Sequence, residues 1–365
     1  MSDNSIGEKL RVTLFGQSHG PAIGCVIEGF PAGFAVDWDR VRAFMARRAP
    51  GQNAWSTPRR EADSPEILSG LNAQGLTSGA PIAAMIRNTN AHSRDYESLR
   101  PTPRPGHADL GAFYKYGTHW DIRGGGPFSG RLTAPLCFAG ALALQWLEKP
   151  DGHGASPVRI AAHITRIGSV RDAVPNVTHP ALPLYAPGDF PVIDPSRGEE
   201  MKREIEAARR DGDSVDGEVR CIAAGLRPGL GGPYFGGLEG KLSQALFAIP
   251  AVKGVTFGDT QPRGSENNDA FCIDDALPGG IGAATNHCGG ILGGISIGTP
   301  LYFTLSFKPT PSIALPQQTV NLDSRTETAL TIEGRHDPCV VPRAVPVVEA
   351  VTALTLMDAM LMNGR

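Results

Sequence analysis

Two histidines sit in polar loops beside glycine: Gly16-Gln17-Ser18-His19-Gly20 and Arg104-Pro105-Gly106-His107-Ala108-Asp109. Glycine neighbours leave an imidazole open to a ligand. With a pKa near ~6.5, imidazole can take or give a proton at neutral pH. A histidine bonded only to backbone has the same signature, so for each loop alone both readings stand. Two such loops in one chain favour proton transfer. Arginines gather in the same part of the sequence: Arg47, Arg48, Arg59, Arg60, Arg94, Arg104, Arg123 and Arg131. Arg104 and Arg131 fall in glycine- or proline-rich loops, where a guanidinium can grip phosphate or carboxylate through two N–H groups. Arg47 and Arg59 are expected on a solvated surface. Lys308-Pro309-Thr310-Pro311-Ser312 follows a strand-like run and offers one cation and two hydroxyls. Gly334-Arg335-His336-Asp337-Pro338 sets three ionisable groups side by side, although a plain turn explains it equally well.

Other ligand chemistries fit less well. Gly124-Gly125-Gly126 and the run Gly289 to Gly294 match neither a dinucleotide fingerprint nor a P-loop, but their N–H groups can still hold an anion or a ring edge. The cysteines at 25, 137, 221, 272, 288 and 339 lack zinc or CxxC spacing, so no metal site is expected. Isolated thiols in apolar runs fit a reducing compartment. Charge is nearly balanced, with 34 basic against 37 acidic residues, so nothing global draws nucleic acid and any anion site must be local. The N-terminus lacks a leader pattern, and no uninterrupted apolar run approaches the ~20 residues of a membrane helix. A cytoplasmic protein without a membrane partner is expected.

The elements that must position these groups are mixed. Strands are expected at Leu10–Phe15, Ala22–Ile27, Pro81–Ile86, Val158–Val170, Gly217–Leu226, Gly254–Gly258 and Leu301–Phe307. Asp37 predicts a capped helix over Trp38–Arg48. Thr133 reads as the N-cap of a helix with Pro135 at its first position, ending near Lys149. Further helices are expected over Pro195–Arg210, around Leu238–Ile249, and from about Pro346 to Met362. Residues 87–131 carry glycine and polar content with little periodicity, which reads as site-building loop. Ser78-Gly-Ala-Pro-Ile and Ile297-Gly-Thr-Pro-Leu form a faint echo, each leading into an apolar strand. The pattern predicts α+β, with helices outside antiparallel sheets. Residue chemistry alone stops at an enzyme with an anionic ligand and histidine acid/base work. A phosphate-handling hydrolase using His and Asp fits it too.

The same segments resemble the chorismate synthase family, over nearly the whole chain. Its landmarks follow in order: FGQSHG at 15–20, RPGHAD at 104–109, KYG at 115–117, RGGG at 123–126, GDS at 212–214, AVKG at 251–254, NHCGGILGGIS at 286–296, KPT at 308–310 and GRHDPC at 334–339. The resemblance implies a βαβ-sandwich of two related halves in one domain, here roughly 1–150 and 215–365 joined by 151–214. It implies a lyase that eliminates phosphate from 5-enolpyruvylshikimate 3-phosphate to give chorismate, with reduced FMN and no net redox change. A homotetramer is implied, with NADPH or an external flavin reductase supplying the reduced flavin. By motif, His19 resembles the acid near the substrate phosphate, and His107 the group keeping a proton at flavin N1. Asp337 resembles the carboxylate near N5, with Ser18 and Ser129 as supporting hydroxyls. Arg48, Arg104 and Arg131 match substrate-binding arginines. Ser129, Ala251, Gly293, Lys308, Pro309, Thr310, Pro311, Ser312 and Arg335 match flavin contacts. Three departures stand out: Gln17 where the family has glutamate, Ala54 in place of an arginine, and Pro127-Phe128 after the glycine triplet.

Overall fold

The computed structural model describes residues 3–51, 55, 63–88, 101–149, 157–175, 177, 190–277, 279–332 and 336–364. The chain begins β1 (Ser5–Ile6), β2 (Arg11–Gly16), β3 (Ala22–Glu28), α1 (Trp38–Arg48), β4 (Glu66–Ser69), β5 (Ile82–Arg87), α2 (Asp109–Tyr116) and α3 (Thr133–Leu147). It continues β6 (Arg159–Ile167), β7 (Val170–Arg171), α4 (Pro195–Arg210), β8 (Gly217–Ala224), α5 (Leu238–Leu246), β9 (Val252–Phe257), α6 (Gly264–Asn267), β10 (Phe271–Ile273) and β11 (Ile281–Ala283). It ends β12 (Ile291–Leu292), β13 (Ile295–Ser296), β14 (Leu301–Phe307), β15 (Gln317–Asn321), β16 (Thr326–Leu330) and α7 (Val341–Met362).

Two five-stranded sheets form the frame, in the orders β1-β2-β3-β5-β4 and β7-β6-β8-β14-β9. Every pairing in them is antiparallel. The α+β class and antiparallel sheets agree with the sequence reading; the layer order does not. α3 packs on β2, β3 and β5, α7 packs on β6 and β8, and the two helices pack on each other. They therefore lie between the sheets rather than outside them. The cause is their composition. Nearly every residue of α3, from Thr133 to Ala143, is buried, as is almost all of α7. A helix that is apolar all round must be covered all round. α7 is long and apolar enough to cross a membrane, but 83% of its most apolar window is buried inside the molecule. α3 and α7 approach closely because residue 140 is glycine: a Cβ there would lie 2.2 Å from that of Ala350. One continuous apolar cluster joins both sheets through these helices.

Local chemistry explains the element ends. Asp37 accepts from the Arg40 N–H at 3.0 Å and starts α1. Thr133 does not cap α3. Its hydroxyl donates to Gly130 O at 2.6 Å and accepts from Arg48, and Leu132 takes the cap position instead. α7 starts at Val341, so Pro346 lies inside it. Pro346 is the sixth residue of the helix, past the first turn, so the helix forgoes one internal bond there, the one an N–H at 346 would make to Pro342 O. Arg47 is not on a solvated surface. It forms two bonds, 2.6 and 3.0 Å, to the buried Glu349 of α7, which also accepts from Ala162 N at 2.9 Å. Asp358, near the end of α7, accepts from the N–H groups of Glu8, Lys9 and Leu10. The Gly-x-Pro echoes lead into β5 and β14, which hold the same place in the two sheet orders. β6 falls within the strand expected over Val158–Val170, inside the 151–214 stretch placed between the two halves.

Candidate active site

The turn between β2 and β3 carries Ser18 and His19. Asn88 fixes that turn, donating from Nδ2 to Gln17 O at 3.0 Å and Gly20 O at 2.8 Å. The glycine triplet closes over it. Ser18 N donates to Gly126 O at 3.3 Å. A Cβ at Gly124, whose φ is +61°, would lie 2.6 Å from His19 Nε2 and 2.8 Å from Ser18 Oγ. Only glycine lets the backbone pass this close to the imidazole. Beside it Asp121 accepts two bonds from Arg123, at 2.8 and 2.7 Å. Those bonds, with a smaller contribution from His19, hold the Asp121 carboxyl below the usual carboxylate range.

Behind this turn lies a buried charge cluster. Arg48, at the end of α1, bonds one oxygen of Asp63 and Arg131 bonds the other. Arg48 Nε also donates to Thr133 Oγ1 at 3.1 Å, and Arg131 Nε to Asn88 Oδ1 at 3.1 Å. Burial alone would push the Asp63 carboxyl up, but the two guanidinium groups outweigh it and hold it low. Arg343, in the first turns of α7, donates to Arg48 O at 3.0 Å and to the carboxylate of Asp337. A continuous bonded path thus runs from Asp337 through Arg343, Arg48, Asp63, Arg131 and Asn88 to the His19 turn.

His107 stands at the second centre. Its Nδ1 lies 3.2 Å from Pro105 O, which can only accept, so Nδ1 carries the hydrogen in the neutral ring. Nε2 lies 2.7 Å from Ser312 Oγ. Burial, then the nearby Arg104 and His336 charges, push the His107 pKa down to about 4, against the opposing pull of Asp109. Arg104 donates from Nε and Nη2 to Asp109 at 2.7 and 2.8 Å, so these two N–H groups organise the RPGHAD loop rather than face a ligand. The KPTPS run lies alongside: Lys308 Nζ donates to Gly106 O, and Ser214 Oγ to Thr310 O at 2.6 Å. Burial and the neighbouring Lys253 hold the Lys308 ammonium below its usual range.

Part of this arrangement opens onto a cleft of about 1240 Å³: Gln17, His107, Ser129, Ala251 and Lys308 line it, with apolar walls that include Ile6, Val12, Leu136 and Leu354, whereas Ser18, His19, Arg48, Arg104, Arg131, Ser312 and Asp337 stand outside its lining. That volume suits an organic ring system with a polar tail. Ala251 adopts a φ of +73° at the lip, and its carbonyl accepts from Lys308 N at 2.9 Å. Gly293 sits apart, in the turn between β12 and β13, and does not line the cleft. Arg335, Ala54, Arg59, Arg60 and Arg94 lie outside the described residues. Among the described residues no group of three His, Cys, Asp or Glu is placed to hold a metal ion.

The family model described as chorismate synthase matches residues 10–361. The chain belongs to the chorismate synthase family. A chorismate synthase of Methanopyrus kandleri is 45% identical over 99% of this chain and 93% of its own. One of Lancefieldella parvula is 41% identical over 99% and 97%. A solved chorismate synthase structure superposes with a TM-score of 0.73 at 26% identity, covering 98% of this chain and 93% of that one. Chorismate synthases are lyases that complete the shikimate pathway to chorismate, the last common step towards the aromatic amino acids, and they use a reduced flavin.

Residue motifs missed part of the site. Asp63 lies in a polar, arginine-rich stretch, and its acidity among arginines was its only mark. Asn88 and Arg343 carried no signal beyond standing next to motif segments.

Proposed function

We propose that this chain converts 5-enolpyruvylshikimate 3-phosphate to chorismate and phosphate by 1,4-trans elimination, with reduced FMN held in the cleft beside His107. The observation that carries the reading is the common cleft itself. His107, Ser129, Ala251 and Lys308 share apolar walls that suit a ring, while Gln17 of the His19 turn and Thr133, which holds Arg48, line the same cleft with the arginine pair behind them. When bound, reduced FMN supplies electron density to the substrate while the phosphate leaves.

The chain's own residues do the rest. Arg48 and Arg131 hold the substrate's phosphate and carboxylates, and Arg104 adds its charge nearby. His19, with Ser18 beside it, gives a proton to the departing phosphate oxygen. Asp337, assisted by Ser129, takes part in moving the proton lost from C6. His107 keeps a hydrogen on Nδ1 through Pro105 O and offers Nε2 to a proton when an anionic ring edge lies beside it. Lys308, Pro309, Thr310, Pro311 and Ser312 border the cofactor, with Gly293 and Arg335 assigned to it by motif. The apolar walls exclude water from the charges formed during elimination. We also propose a cytoplasmic homotetramer whose flavin is reduced by an external reductase, NADPH being the alternative direct donor.

An anaerobic assay with chemically reduced FMN tests the reading. Chorismate and phosphate should form in equal amounts, and only with reduced flavin. Phosphate release in air without flavin would point to a hydrolase instead. FMN binding that tightens when substrate is present is a second expected result.

A further inference from the structure

We propose that Asp63 is a positioning residue for this reaction: its single carboxylate, set between Arg48 and Arg131, fixes two guanidinium groups as one anion-binding fork. The inference rests on the reading that these two arginines bind the substrate. Each oxygen serves a different arginine, Oδ2 taking Arg48 and Oδ1 taking Arg131. All three side chains are buried, with Asp63 at 4% exposure. Two guanidinium groups brought together with nothing between them repel, strongly so away from water. One shared carboxylate removes that repulsion and still leaves the cluster with a net positive charge for a substrate that carries several negative ones.

The fork is held from both outer sides as well, by Thr133 on Arg48 and by Asn88 on Arg131. Long arginine side chains otherwise lose much rotamer freedom when they grip a ligand. Here that freedom is already gone before the substrate arrives. Asp63 itself is held at a φ of +46°, a backbone region that asparagine and aspartate enter more readily than most residues. The reverse role is equally concrete: a carboxylate that occupies the anion site and must be displaced. The two roles differ in sign. Loss of a positioning carboxylate raises KM, whereas loss of a blocking one lowers it.

The test uses full-length protein, anaerobic kinetics with reduced FMN, and the variants Asp63→Gly and Arg131→Gln. Glycine accepts the positive φ and leaves a space of carboxylate size. Asp63→Gly should raise the substrate KM about tenfold or more while kcat stays within about threefold, the pattern of lost uniform binding. Added formate should lower that KM again, while chloride at equal ionic strength should not. A KM that is unchanged or lower, or a raised KM that formate leaves in place in a folded protein, overturns the proposal. Circular dichroism and thermal melting report whether the variant folds. If it does not, Asp63→Asn carries the test, with a raised KM expected and an unchanged or lowered one fatal. Arg131→Gln separates the two levels. If its KM does not rise, the substrate-binding reading of the arginines fails. If it rises and the Asp63 variants stay at wild-type KM, only the role of Asp63 is lost.

Discussion

The two sheets follow one plan but differ in what their loops carry. The order β2-β3-β5-β4 in the first matches β6-β8-β14-β9 in the second. α1 and α5 precede the edge strands β4 and β9, and α3 and α7 follow the inner strands β5 and β14. In the first half a tight turn joins β2 to β3 and holds Ser18 and His19. The matching connection in the second half, from β6 to β8, wanders through β7 and α4 and, among the described residues, reaches the site through Ser214. The excursions after β5 and β14 behave alike: both run to the site, where His107 from one meets Ser312 from the other. We propose that the halves descend from one ββαββα unit. The difference between them teaches that the frame repeats while the chemistry sits on whichever loops reach the junction.

That contrast predicts separable failures. Frame substitutions should unfold the protein, and loop substitutions should stop it. The largest effect is expected for Glu349→Ala, which leaves Arg47 and the Ala162 N–H without their partner. A loss of about 3 kcal/mol is expected, at the low end for a broken buried pair because Arg47 is partly exposed. Chemical denaturation measures it, and a value under about 1 kcal/mol would make Glu349 dispensable to the frame. His107→Ala should cut turnover at least ~100-fold, or about 2.7 kcal/mol, with melting little changed. His19→Ala should act similarly, and a variant that unfolds instead would make its loop part of the frame.

His107 also has a pH signature. Its folded pKa, about 4, lies below the unfolded value of ~6.5, so the unfolded chain gains the proton first as pH falls. Its contribution to stability is present above about pH 6.5 and is lost as pH drops towards 4. Denaturation curves across that window should fall less steeply for His107→Ala than for wild type. Asp358→Ala strips the acceptor from the buried N–H of Leu10 and the part-buried one of Lys9 and should cost about 2 kcal/mol. Since Asp358 lies in the second half and its donors in the first, an unaffected melting point would mean the halves do not depend on this contact. Arg171→Ala, on an exposed pair with Glu218, should change stability by less than about 0.5 kcal/mol.

Elements with a polar face and a clear cap were legible in the sequence. Asp37 and Asp194 cap α1 and α4, and the inward residues Val41 and Met45, or Met201 and Ile205, recur at helical spacing. α3 and α7 have no polar face, so their sequences reveal burial without saying against what, and the layer order was misjudged. The histidine loops and Lys308 were legible because glycine, proline and a titratable group stand together in the sequence. The Arg48–Asp63–Arg131 cluster was not. Asp63 is 15 residues from one partner and 68 from the other, and only the folded chain joins them. The same holds for Arg47, whose partner lies 302 residues away.

The place of α7 between the layers has a consequence for how the molecule is made. Every strand of both sheets leaves the ribosome before Val341 does. Until then the inner face of β6 and β8 has no cover, and one side of α3 faces the same gap. Synthesis therefore runs past the last strand of both sheets with a wide oily seam open, a state prone to clumping. Chaperone demand during translation, and insolubility of any product cut short before α7, are what this arrangement imposes on the cell.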